Sequence, residues 1–255
     1  MKNVIINKYI DIIRKDKRLI EVLLKDNSSK KNILWATNHY KKYGELYGSN
    51  QHITLEAILS KKPLLIKPRI NKSKKEQQSR SKNSAEVFTP SWICNAQNNL
   101  IDEAWFDRKN IFNFEEKSSW KVNNDRIIFP QNRSWINYVK DTRLEISCGE
   151  APYIASRYDT VSGEYIDPSN RIGLLDRKIR IINENTTTEN EWVEYVILAY
   201  KNVYGYDWQG DNVFISRENL LLSFIEYFDN RFGKIPLKKY VYQIADIISW
   251  NIWQM

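Results

Sequence analysis

The sequence predicts an α/β protein with a mainly helical N-terminal region and a parallel sheet behind it. Two short β-like runs carry the prediction: Arg143-Leu144-Glu145-Ile146-Ser147 stops at a Cys148-Gly149 turn, and Tyr204-Gly205-Tyr206-Asp207 stops on a carboxylate. A long segment separates them and helical periodicity follows, so the rhythm is strand, crossover, strand, helix. The third observation is composition. A chain of 255 residues, 42% hydrophobic with nine Trp, fifteen Tyr and nine Phe, can bury a sizeable core.

Residues 4–24, VIINKYIDIIRKDKRLIEVLL, space Ile, Leu and Val by three and four around charged residues, as an amphipathic helix or a helical pair does. A second helical segment is expected from Asn32-Ile33-Leu34-Trp35 to Gly44. Residues 61–84 carry many Lys and Arg against one Glu, with Pro63 and Pro68 at the start. This basic stretch reads as a solvated linker or as a segment that contacts DNA phosphates. It divides the chain into a helical region (1–60), the linker (61–84) and a third region (85–255). Within the third region a helix capped by Ser91 runs to Phe106, residues 107–140 are irregular, and Ile127-Ile128-Phe129 is a short strand. Helices are expected at 191–203 and from Asp211 to Phe228.

A formal charge of +8 and a pI near 9.2 favour contact with a polyanion. Cys94 and Cys148 lie far apart without His neighbours, which points to a reducing compartment and away from zinc. The N-terminus lacks a signal-peptide apolar core and no run is long enough to span a bilayer, so a cytoplasmic protein is expected.

Parallel sheets bind ligands beyond the carboxyl ends of their strands. Gly149 stands there, where it is a simple turn or a close backbone approach to a ligand, and Glu145 is near enough to accept hydrogen bonds. Asp207 ends the next strand, as an N-cap carboxylate or as the acidic residue that takes ribose hydroxyls in nucleoside-binding folds. The interval between them is about three times the usual twenty residues, and residues 157–190 supply the insertion.

These residues carry a resemblance. Ala85-Glu86-Val87-Phe88-Thr89-Pro90 resembles the Val-Phe-Thr-Pro form of motif X of adenine-N6 DNA methyltransferases of restriction-modification systems. Leu144-Glu145-Ile146-Ser147-Cys148-Gly149-Glu150-Ala151-Pro152-Tyr153 is similar to motif I, in the version found in restriction-enzyme methylase subunits. Tyr204-Gly205-Tyr206-Asp207, with Asn212 and the helix after it, is similar to motif II. The resemblance spans roughly residues 33–255 and implies an incomplete Rossmann-like S-adenosylmethionine-dependent methyltransferase domain. It also implies S-adenosylmethionine as methyl donor, double-stranded DNA as partner, and Phe88, Thr89, Pro90, Glu145, Cys148, Gly149 and Asp207 as cofactor-binding residues. The donor's sulfonium, adenine and ribose diol call for the carboxylates, aromatic wall and tight turn that Glu145, Asp207, Phe88 and Gly149 offer.

The family's catalytic motif, Asp/Asn-Pro-Pro-Tyr/Phe, holds the flipped adenine. No Pro-Pro pair occurs among the seven prolines, and Ala151-Pro152-Tyr153 imitates only its end. No catalytic residue is therefore assigned, and Pro152-Tyr153 is expected to begin the next helix. Residues 244–255 resemble the helix before motif III without the strand that should follow. The chain reads as the N-terminal part of a truncated or split methyltransferase, or as one piece of an enzyme whose second chain carries the catalytic half. Two alternatives compete. Asp167-Pro168 with Asp176-Arg177-Lys178 imitates a magnesium nuclease centre, though a charged surface turn also explains it. A fragment that binds DNA or a partner without catalysis is the other, supported by the basic segment and an exposed sheet edge.

Overall fold

The computed structural model describes residues 9–59 and 65–255. Helices α1 (Ile10–Arg14) and α2 (Lys17–Leu24) are parted at Asp16, whose carboxylate caps α2 by accepting the Leu19 N–H at 3.3 Å. The expected helical pair is present from Ile10, while residues 4–8 of that stretch lie outside the described residues. The helix expected from Asn32 does not form. There the Trp35 N–H donates to Gln51 O at 3.0 Å and the Ala36 N–H to Ser49 O at 2.9 Å, so backbone groups a helix would pair locally are spent across the chain. Short helical turns at Lys41–Tyr43 and Glu45–Tyr47 and helix α3 (Leu55–Leu59) complete this region.

Residues 61–64 of the basic segment lie outside the described residues, and the remainder is no solvated linker. It folds into a turn at Arg69–Asn71 and helix α4 (Lys74–Ser84), capped by Ser73. Its anchor is Arg80, 1% exposed, whose Nε donates to Glu86 Oε2 at 2.7 Å and Nη2 to Asp211 Oδ2 at 2.7 Å.

Helix α5 (Ser91–Phe106) has the predicted span but not the predicted cap: Pro90 takes the N-cap position and the Ser91 N–H donates to the Asp159 carboxylate at 2.6 Å. Its faces are inverted. Asn95, Asn98, Asn99 and Asp102 are buried, where Arg177 donates to Asp102, Asn95 and Asn99, while Leu100 is 66% exposed. A hairpin, β1 (Asn113–Glu116) and β2 (Ser119–Val122), interrupts the stretch expected to be irregular. The strand expected at Ile127 is absent because the Ile127 N–H is bound to Glu184 Oε2 at 2.9 Å. Helix α6 (Trp135–Lys140), held by a capping box at Ser134, leads into the sheet.

The sheet has the order β3 (Arg143–Ile146), β4 (Val203–Asp207), β5 (Ile252–Gln254), all parallel. Helices α7 (Leu174–Asn185) and α8 (Glu189–Lys201) cross from β3 to β4, and α9 (Gly210–Phe232) and α10 (Lys238–Asn251) from β4 to β5. Parallel strands joined by helical crossovers make this an α/β fold. Strand β5 corrects the expectation that the chain stops before a third strand. One sheet face, with Val203, Gly205 and Ile252, is buried, and α9 and α10 pack on β4 and β5. The other is uncovered: Leu144 is 49% and Ile146 65% exposed, beside half-buried Tyr204, Tyr206 and Trp253. β3 is an edge strand among the described residues.

Candidate functional site

At the carboxyl end of β3 the backbone enters the left-handed region at every second residue: Ser147 (φ 51°), Gly149 (φ 54°) and Ala151 (φ 61°). Glycine adopts this geometry freely, whereas Ser147 and Ala151 each cost about 1–2 kcal/mol. The loop is held by surrounding contacts. The Cys148 N–H donates to Tyr206 O at 2.8 Å, the Gly149 N–H to Asp207 Oδ2 at 3.0 Å, and the Ala151 N–H to Cys148 O at 2.7 Å. A Cβ on Gly149 would stand 3.1 Å from Phe88 Cε1, so the glycine is needed both for its φ and for the approach of that ring. Arg69 covers Phe88, its guanidinium carbon 5.5 Å from the ring centroid.

These contacts bring three distant segments around one cavity of about 300 Å³. Phe88 and Thr89 come from the loop before α5, Glu145, Cys148 and Gly149 from β3 and its turn, and Asp207 from the end of β4. Of the residues predicted for the site, Pro90 alone does not line the cavity. It starts α5, its carbonyl accepting the N–H groups of Ile93 and Cys94. Cys148 is 1% exposed, and its Cβ packs where a Gly205 side chain would be.

The two carboxylates set the electrostatics. Glu145, 7% exposed, accepts the N–H groups of Tyr153 at 3.4 Å and Ile154 at 3.2 Å. Burial pushes it well above the usual carboxylate range, against those two hydrogen bonds. Asp207 is raised by burial too, opposed by the N–H groups of Gln209 and Gly149. Among the described residues neither forms an ion pair, and no cation is among the main influences on either one. Glu86, the third buried acid of the cavity, is held by Arg80, whereas Glu145 and Asp207 are open to a ligand that brings its own positive charge.

The sequence reading missed Ser147, Trp208 and Gln209, which also line the cavity. Trp208 and Gln209 directly follow Asp207, and their adjacency to a strand-end carboxylate was the available signal. A left-handed Ser147 leaves no sequence mark. Pro152-Tyr153 does not begin a helix: residues 152–154 form a turn, the next α-helix starts at Leu174, and both residues line the cavity instead.

The nuclease-like residues are neither a surface turn nor a free acid with a free lysine. Asp176, Arg177 and Lys178 lie in α7, at most 2% exposed. Asp176 accepts from the Ser156 N–H, the Gly173 N–H and the Tyr227 hydroxyl, and Lys178 Nζ donates to the carbonyls of Val139, Asp141 and Asn202. Their bonding capacity is taken up inside the fold.

No helix among the described residues is long and apolar enough to cross a membrane. No protein-family model, no curated protein and no solved structure matches the chain.

Proposed function

We propose that this chain is the S-adenosylmethionine-binding portion of a site-specific DNA adenine-N6 methyltransferase of a restriction-modification system, acting in the cytoplasm on double-stranded DNA. One observation carries the reading. The segments resembling motifs X, I and II, up to 119 positions apart from Phe88 to Asp207, line a single cavity at the carboxyl ends of two parallel strands. Two of its buried carboxylates, Glu145 and Asp207, have no ion-pair partner among the described residues, which suits the donor's positively charged sulfonium and ammonium. In this reading Asp207, at the end of the second strand, accepts the ribose hydroxyls. Glu145 and the left-handed turn face the methionine portion, and Phe88 gives an aromatic wall.

The methyl-transfer step needs a group that holds the flipped adenine, and the chain has no Pro-Pro pair to supply it. Catalysis is therefore assigned to residues outside this sequence, on a separate part of a split or truncated enzyme or on a second chain that carries the catalytic half. The edge position of β3 and the uncovered Leu144 and Ile146 support this, because parallel sheets normally have both faces covered.

Calorimetric titration of S-adenosylmethionine into the purified chain tests the proposal. Binding is expected, weakened roughly 10- to 100-fold by Asp207→Ala through loss of charge-assisted hydrogen bonds. Absence of binding by the native chain overturns the reading. Transfer of labelled methyl groups to DNA by the chain alone would overturn the assignment of catalysis elsewhere.

A further inference from the structure

Beside the donor cavity lies a larger one, about 1000 Å³, which the cofactor reading leaves unused. The two share Ser84 and Trp208. One wall is the 36–50 loop, with Asn38, Lys42 and Asn50. The other is a face of α4, where Glu76, Ser79 and Asn83 recur at helical spacing beyond Lys75. His39 Nε2 and Ser84 Oγ, 2.8 Å apart, tie the walls together at one end.

Helix α4 has no apolar face to explain its place in the fold. Its sequence, KKEQQSRSKNS, is polar all round, and Arg80 is its one buried residue. Ser, Asn and Lys side chains are thereby presented along the cleft. Two polar groups at the wall have no partner among the described residues: Arg80 Nη1, on a side chain 1% exposed, and Thr37 Oγ1, on a residue 8% exposed. The lining charges are Lys42, Lys75 and Arg80 against Glu76, with Lys42 and Lys75 exposed. At the junction with the donor cavity the Trp208 ring is 61% exposed.

We infer that this cleft binds a short stretch of single-stranded nucleic acid beside the methyl-donor cavity. Lys42 and Lys75 take phosphates, the amides and hydroxyls of both walls take sugar and base edges, and Trp208 offers a stacking surface. The net charge of +8 draws the strand in from a distance. Helix α4 of the basic segment thus contacts nucleic acid as a folded wall, and an unpaired nucleotide is what a base-flipping enzyme must hold beside its donor. That last link rests on the function proposed above, whereas the cleft's chemistry does not.

The test is fluorescence anisotropy of a labelled single-stranded DNA 12-mer with the whole chain, native and Lys42→Gln/Lys75→Gln, over a range of salt. Both lysines are exposed, so the variant is expected to keep the native circular dichroism. Its affinity is expected to fall roughly tenfold or more, and the slope of log K against log salt by about 1.4, the value of two single-strand phosphate contacts. Calorimetry with S-adenosylmethionine is expected to be the same for both proteins, so failure of the donor reading and failure of this one are separately visible. No binding of the 12-mer by the native chain at low salt overturns the inference. So does binding that the double variant leaves unchanged.

Discussion

Two pairs of buried carboxylates near the start of α9 have opposite fates. Glu86 and Asp211 are paired: Arg80 reaches both, and Lys72 Nζ stands 3.6 Å from Asp211. Burial raises Asp211, but Arg80 and Lys72 outweigh it and hold the group below its usual value. Glu145 and Asp207 are similarly enclosed and meet backbone N–H groups, with the Asn212 side chain also on Asp207, so burial wins and both are raised. The first pair joins α4 to α9 and belongs to the architecture. The second is left without an ion-pair partner beside the turn where Ser147 and Ala151 are left-handed, a combination that folding alone does not favour and ligand binding does.

The largest effect that would break this comparison comes from the paired side. Arg80→Met removes the cation that Glu86 and Asp211 share and leaves two buried carboxylates with Lys72 alone. A loss of about 3–5 kcal/mol in urea unfolding is expected, and a loss below about 1 kcal/mol would put Arg80 among ordinary surface ion pairs. On the unpaired side, Asp207→Asn should cost less than Arg80→Met, because it removes an uncompensated buried charge, although its single oxygen can keep only one of the Gly149 and Gln209 N–H groups, which meet different carboxylate oxygens.

The same contrast explains what the sequence made legible. The two main strands, α8 and α9 were readable because local pattern and final position agree: Val203, Gly205 and Asp207 alternate inward as a half-buried strand requires, and Tyr204 and Tyr206 outward. The cavity residues were readable through the resemblance, and Pro90 failed because its backbone is used to start a helix. What stayed hidden depends on distant partners. The 32–37 segment gives its N–H groups to partners such as Ser49 and Gln51, Ile127 gives its own to Glu184, and the basic segment becomes a helix because Arg80 finds Asp211, 131 positions away. Residues 252–254 pattern as little more than a chain end, and only β4 beside them makes a strand.

A middle-sized effect separates backbone strain from contact at the donor loop. Gly149 (φ 54°) and Gly233 (φ 66°) are both left-handed, but a Cβ on Gly233 meets nothing within 4 Å, whereas one on Gly149 meets Phe88 at 3.1 Å. Gly233→Ala should cost only the strain, about 1 kcal/mol. Gly149→Ala should cost about 1 kcal/mol more and also weaken S-adenosylmethionine in calorimetry, since the Phe88 ring must move. Equal costs for the two variants would show that the ring yields freely and is no fixed wall.

The smallest effect is in the pH dependence. A carboxyl whose folded pKa is raised contributes stability that is full below its unfolded pKa, near 4.5 for Glu145, and is lost as pH rises through the higher folded value. Stability should therefore decline as pH rises above the usual carboxylate range toward that higher value, by about 1 kcal/mol over the first pH unit. Glu145→Gln should flatten that decline when urea midpoints are followed from acid to neutral pH. A bound cation reverses the preference, because it favours the ionised carboxylate, so affinity for S-adenosylmethionine should rise with pH over the same window and lose that rise in Glu145→Gln. Coincidence of the two windows would tie the stability cost of the unpaired acid to its binding role, and separate windows would assign the decline to another group.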